Sequence, residues 1–159
     1  MKDFHTAWIG LGANLGEPAQ TLRRALDELG AHPAVEDCRV SGFYRTRPVD
    51  AGGPDYVNAA ARLSTRLAPL ELLDLLQDIE NRHGRSRPYR NAPRTLDLDL
   101  LRYDGLRCDG PRLTLPHPRM HQRAFVLRPL LDLDPDMTLA QGRVDALLRA
   151  CGDQGIEPL

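Results

Sequence analysis

The chain has 159 residues, 42% of them hydrophobic and 27% charged, and its 21 basic and 22 acidic side chains leave a formal net charge of −1. That is the composition of a soluble globular protein and the size of a single domain, 1–159, able to bury one substantial core. A near-zero charge excludes nucleic-acid binding driven by bulk electrostatics, the apolar runs fall short of the roughly 18 residues of a membrane span, and Cys38, Cys108 and Cys151 supply neither a zinc pair nor a disulfide framework. With no basic and apolar leader, a cytoplasmic location is expected.

The first element is a short apolar strand in "TAWIGLGANLG", which ends in a turn at Gly10, Gly12 and Gly16. Their spacing misses both the phosphate-loop and the dinucleotide patterns, so the expected role is a turn that needs close backbone approach. A helix follows, with Leu22, Leu26 and Leu29 as its stripe, Pro18 near its first turn and Gly30 as its stop. The segment "VEDCRVSGFYRTRPV" is expected to be extended until Pro48, with Val40, Gly42, Tyr44 and Thr46 alternating against Ser41, Phe43 and Arg45. After the loop "DAGGPD", "YVNAAARLSTRL" completes a hairpin with a long connection.

"APLELLDLLQDIENRHG" has the clearest helical period, with Leu72, Leu73, Leu75, Leu76 and Ile79 on its apolar face and Gly84 at its end. The aperiodic "RSRPYRNAP" is a loop, and "RTLDLDLLRY" is the next strand, followed by a turn and a short return strand. A helix is expected from about Met120 to Leu133, and "GRVDALLRACGDQG" is a short amphipathic helix. The order β-α-β-β-α-β predicts an α+β, ferredoxin-like antiparallel sheet with helices on one face, plus C-terminal helices and a short extra hairpin. The other face would be free or covered by loops. That layout serves many activities, so function must come from particular residues.

Asp97 and Asp99 alternate with Leu96, Leu98 and Leu100. On a strand the two carboxylates share a face, with Cα atoms about 7 Å apart, close enough to grip Mg²⁺. The alternation alone favours the wet face of a half-buried strand over a metal site. Two features favour chemistry. Like charges two apart repel and Asp is a poor strand former, and Arg85, Arg87, Arg90 and Arg94 lie within ten residues, with Arg112, Arg119 and Arg123 following. Guanidinium groups pair with phosphate directly while carboxylates need a metal, so the combination suits a Mg–nucleotide site. His117, between Pro116 and Pro118, could bond a phosphate or donate a proton. Tyr56 and Asn58 share a strand face and, with Tyr44 and Phe125, suit either a flat heterocycle or the core.

The stretches "GLGANLG", "FYRTRPV", "PDYVNAA", "IENRHGRSR", "APRTLDLDLL" and "LPHPRMHQRAFVLRPL" occur in an order and spacing that resemble the 6-hydroxymethyl-7,8-dihydropterin pyrophosphokinase family, over nearly the whole chain to about Pro135. The resemblance implies a ferredoxin-like, monomeric enzyme of folate biosynthesis that moves pyrophosphate from the co-substrate ATP to the pterin's hydroxymethyl group and releases AMP. By that resemblance Asp97 and Asp99 hold two Mg²⁺ ions, and Arg85 and Arg94 join them as catalytic groups. Tyr56 and Phe125 sandwich the pterin, Asn58 bonds its edge, and backbone around Thr46 and Val49 completes the pocket. Gln77, Glu80, Arg85, Arg87, Arg94, Arg112, Thr114, His117 and Arg123 match the ATP contacts. The chain departs from common family residues at Arg47, Asn91 and Pro118. The rival readings are another two-metal nucleotidyltransferase on this fold and an RNA-binding module stacking bases on Tyr44 and Tyr56, although the acidic pair would repel a phosphate backbone.

Overall fold

The computed structural model describes residues 3–47, 54–84 and 96–159. In chain order the elements are β1 (His5–Ala13), α1 (Pro18–Gly30), β2 (Val35–Val40), β3 (Tyr44–Thr46), β4 (Tyr56–Thr65), α2 (Pro69–Gly84), β5 (Asp97–Tyr103), β6 (Cys108–Asp109), β7 (Thr114–Leu115), a 3₁₀ turn (Met120–Gln122), α3 (Ala124–Leu133), β8 (Thr138–Leu139), β9 (Gly142–Arg143), α4 (Val144–Ala150) and β10 (Ile156–Pro158). The main sheet runs β10-β3-β4-β1-β5, with β2 also on β4, and each of its pairs is antiparallel. The α+β class with an antiparallel sheet is as expected.

Helix α2 starts where Glu71 reaches back to accept the Ala68 N–H (2.8 Å), half of a capping box. Its Leu72, Leu76 and Ile79 are fully buried, as are Leu22 and Leu29 of α1. Both helices pack on Ala7, Ile9 and Leu11 of β1, Ala59, Ala61 and Leu63 of β4, and Leu98 and Leu100 of β5, forming the larger core. The alternation in β5 therefore points its leucines as expected.

The opposite face is not free. Helices α3 and α4 cover part of it, burying Ala60, Leu101, Met120, Leu127 and Leu130 with Trp8 against them. A β-bulge at Trp8/Ile9 pairs Trp8 with Arg102 and Ile9 with Leu100. The bulge leaves Leu101 as the extra residue, turned towards α3 while Leu100 faces α2. Asp134, just past α3, accepts from Trp8 Nε1 (2.7 Å) and pairs with Arg62, fixing that helix to the sheet.

Three expectations are corrected. The segment 35–46 is two strands, because Ser41 interrupts the ladder: its N–H donates to the Ala60 carbonyl, and its hydroxyl, not a backbone carbonyl, accepts the Ala60 N–H (both 2.9 Å). The alternation does not survive that break, and Val40 is exposed while Tyr44 and Thr46 are buried. The third helix begins at Ala124 rather than Met120, since Arg123 is extended between the 3₁₀ turn and α3. Tyr44 lies under α3, donating its hydroxyl to Asp132 (2.6 Å) with Arg128 over its ring, so it is no open stacking surface for RNA. Burial and the Asp132 bond push its phenol up to about 12.

Candidate active site

Where α3 stops covering the sheet, the exposed strip of β4, β1 and β5 forms the floor of a cleft of about 810 Å³. Register decides its shape. Asn58, Gly12 and Asp97 form one row across the three strands, and Ala60, Gly10 and Asp99 form the next. The residues between the two carboxylates and β4 are thus both glycines. A Cβ on Gly12 would lie 2.8 Å from Asn58 Nδ2, and one on Gly10 would touch Leu101 at 3.4 Å. The glycines are needed by the strand, not by the turn alone, because any side chain there would fill the cleft floor.

The cleft gathers Thr46, Tyr56, Asn58, Asp97, Asp99, Arg123 and Phe125 from the expected set. Asn58 is 7% exposed and its amide is held at both ends. Its oxygen accepts the Thr46 hydroxyl (2.6 Å), and its nitrogen lies 3.5 Å from the Leu11 carbonyl. One lone pair and one N–H of the amide remain for a ligand. Tyr56 and Phe125 are half-buried on the lining, and the Arg123 guanidinium stacks over Phe125 at 5.5 Å. Asp97 is half-buried and Asp99 exposed. No group of three or more metal-ligating side chains occurs among the described residues.

The other expected residues that the structure describes are not part of this lining. Glu80 of α2 accepts the Leu98 N–H (2.8 Å), so it grips β5 between the two aspartates from the strand's outer edge. Gln77 accepts from Arg112, which also pairs with Asp74 (2.7 Å), and Thr114 sits on β7 beside β5. His117 is tied down by its N–H to the Leu101 carbonyl (2.8 Å), and its Nδ1 accepts the Arg119 N–H (3.2 Å). Burial lowers its pKa; the Asp99 charge opposes that, while Arg123 and Arg119 reinforce it. The imidazole is therefore neutral at pH 7, and with Nδ1 accepting, its proton is on Nε2. Val49, Arg85, Arg87 and Arg94 lie outside the described residues, as does Asn91.

Asn14, Arg47, Gln122, Asp153, Gln154 and Gly155 also line the cleft and were missed by sequence reasoning. Asn14 Oδ1 is buried without a hydrogen-bond partner, an acceptor suited to a ligand N–H. The glycine-rich stretch drew attention to its backbone rather than to this side chain. The residues 153–155 carried no motif.

A family model described as 7,8-dihydro-6-hydroxymethylpterin-pyrophosphokinase matches residues 8–135. A Pseudomonas aeruginosa protein named 2-amino-4-hydroxy-6-hydroxymethyldihydropteridine pyrophosphokinase is 47% identical over 154 residues, covering 96% of this chain and 95% of that protein. A protein of the same name from Haemophilus influenzae is 43% identical over 140 residues, covering 87% and 88%. Among solved structures, wild-type Plasmodium falciparum HPPK-DHPS superposes with a TM-score of 0.71 at 13% identity, a likeness of fold. That match covers 94% of this chain but only 41% of the Plasmodium chain.

Proposed function

The chain belongs to the 7,8-dihydro-6-hydroxymethylpterin-pyrophosphokinase family, transferases of folate biosynthesis, and from that premise we propose that its cleft transfers pyrophosphate from ATP to the hydroxymethyl group of 6-hydroxymethyl-7,8-dihydropterin and releases AMP. One observation carries the reading: a single cleft is lined both by paired carboxylates, Asp97 and Asp99, and by Tyr56, Phe125 and Asn58, the groups a flat heterocycle needs.

The carboxylates fit Mg²⁺. They are hard oxygen donors on one strand face, with glycines opposite that leave room for phosphate, and Mg²⁺ is usually held by one or two carboxylates with phosphate and water completing its shell. Asp97 and Asp99 would hold two such ions, which when bound neutralise phosphate charge and acidify the attacking hydroxyl. The rest is positioning by the chain itself. Tyr56 and Phe125 bracket the pterin, while Asn58, Asn14 and the backbone near Thr46 and Val49 read its edge. Arg123, whose guanidinium lies over the Phe125 ring, pairs with phosphate oxygens. His117, with its Nε2 proton, donates a hydrogen bond to the same group. Arg85 and Arg94 contact the reacting phosphates. Gln77, Glu80, Arg87, Arg112 and Thr114 flank the nucleotide, and Glu80 also fixes the strand that bears the aspartates. The pterin oxygen attacks the β-phosphorus in line with departing AMP.

The pairing of β1 with both β4 and β5 supports a ferredoxin-like topology. A cytoplasmic monomer needing no nucleic acid completes the proposal; no helix among the described residues is long and apolar enough to cross a membrane. Calorimetric titration with hydroxymethyldihydropterin, Mg²⁺ and a non-hydrolysable ATP analogue tests it. Pterin binding in the ternary mixture is expected, and its absence would refute the reading.

A further inference from the structure

We propose that the C-terminal segment after α4 is a strap that positions the two walls of the pterin end of the cleft, with Gln154 as its key positioning residue; this rests on the pyrophosphokinase reading above. The strap lies wholly beyond residue 135, where the family match ends. Gln154 bonds on either side of Arg123. Its Oε1 accepts the Ala124 N–H (2.9 Å) and its Nε2 donates to the Gln122 carbonyl (3.2 Å). Helix α3 has no side-chain cap from its own N-cap residue, Arg123, so Gln154 serves an N–H that the helix leaves unpaired. The backbone it clamps is the one from which Arg123 and Phe125 enter the cleft.

The next residue holds the opposite wall. The Gly155 carbonyl accepts the Arg47 N–H (3.3 Å), and the Gly155 N–H donates to Asp153 Oδ1 (2.8 Å) to fix the turn. Gly155 has φ +71°, and a Cβ there would come within 2.9 Å of Arg47 Nη2, so glycine suits both the turn and the arginine lying on it. From there β10 pairs with β3, Ile156 opposite Thr46 and Pro158 opposite Tyr44, and the Leu159 N–H closes on the Phe43 carbonyl (3.0 Å). One short segment thereby joins the Phe125 wall to the Thr46 wall. Its hydrogen bonds run to the start of α3 and to β3, whereas the proposed nucleotide contacts lie mainly on and around β5 and α2. The strap should therefore act most on pterin affinity and less, through Arg123, on the nucleotide.

The test is Gln154→Ala, titrated with hydroxymethyldihydropterin and, separately, with a non-hydrolysable ATP analogue and Mg²⁺, alongside steady-state kinetics and thermal unfolding. Losing two hydrogen bonds that orient a ligand wall should raise the pterin Kd and KM about tenfold. The ATP KM and kcat, which feel the strap only through Arg123, should change less than the pterin Kd, by about threefold at most. Unchanged pterin affinity overturns the inference, and so does an equal loss of pterin affinity, ATP affinity and kcat, which marks general loosening. If Gln154→Ala does not fold, Gln154→Glu, which keeps the acceptor for Ala124 and loses the donor to Gln122, decides by the same criterion. A wild-type chain that binds nucleotide but no pterin overturns the functional reading itself, and this inference with it.

Discussion

Gly12 lies directly across the β1–β5 ladder from Asp97, and on its other side it faces Asn58 of β4. A proposed metal ligand and a proposed pterin ligand are thus separated by one strand position that has no side chain. In the proposed arrangement that glycine sets the spacing between the metal and pterin subsites.

Gly12→Ala should therefore act on the pterin pocket rather than on a turn. Its methyl would lie 2.8 Å from Asn58 Nδ2, and Asn58 cannot swing away without breaking its bond from Thr46. A stability loss of about 1–3 kcal/mol is expected, with pterin affinity down about tenfold. Equilibrium unfolding and pterin titration measure both, and wild-type pterin affinity would contradict the account of the row.

Asp97→Asn and Asp99→Asn should each lower turnover at least about a hundredfold, since several kcal/mol of transition-state stabilisation depend on the bound cation. For Asp99, an exposed side chain, the unfolding free energy should change by less than about 0.5 kcal/mol. Turnover near wild type in either variant would remove the metal assignment.

Glu80→Ala removes the acceptor for the Leu98 N–H and frees the outer edge of β5 between the aspartates. A cost of about 1–3 kcal/mol is expected for a bond to a charged acceptor, together with faster hydrogen exchange at the Leu98 amide. Glu80→Gln keeps an acceptor oxygen and should recover most of both. Unaltered exchange at Leu98 in the alanine variant would show that the bond does not hold the strand.

Acid should weaken the joint between α1 and α2. Burial alone would raise the Glu28 pKa, but hydrogen bonds from His83 and Arg82 and their charges outweigh it and leave the pKa below its ordinary 4.5. A carboxyl lowered in the folded state stabilises the fold above its unfolded value and loses that contribution as pH falls through the folded one. Wild type should exceed Glu28→Gln by up to about 1 kcal/mol at pH 6. The gap should close below pH 4.5, as urea unfolding at a series of pH values would reveal. A gap that widens as the pH falls would contradict the sign.

The strand alternation of Leu96 to Leu100 was legible because β5 runs regularly there, and it correctly put the leucines inward and the aspartates together. Its bulge was not legible, since Leu101 turns to the α3 face only because of register against Trp8 and Ile9. The glycines were visible as glycines, but their reason lies in the neighbours supplied by β4 and β5, which no local pattern reveals. The break at Ser41 depends on a side-chain hydroxyl replacing a ladder carbonyl, a choice made by Ala60 nineteen residues away. Gln154 was invisible for a similar reason: its partners are about thirty residues distant and belong to the backbone.

The most direct test of the central claim is AMP release from ATP and Mg²⁺, measured with and without 6-hydroxymethyl-7,8-dihydropterin. AMP is expected only when the pterin is present, in a one-to-one ratio with pterin pyrophosphate, and is lost in Asp97→Asn. AMP release at the same rate without pterin, or none with it, would contradict the claim.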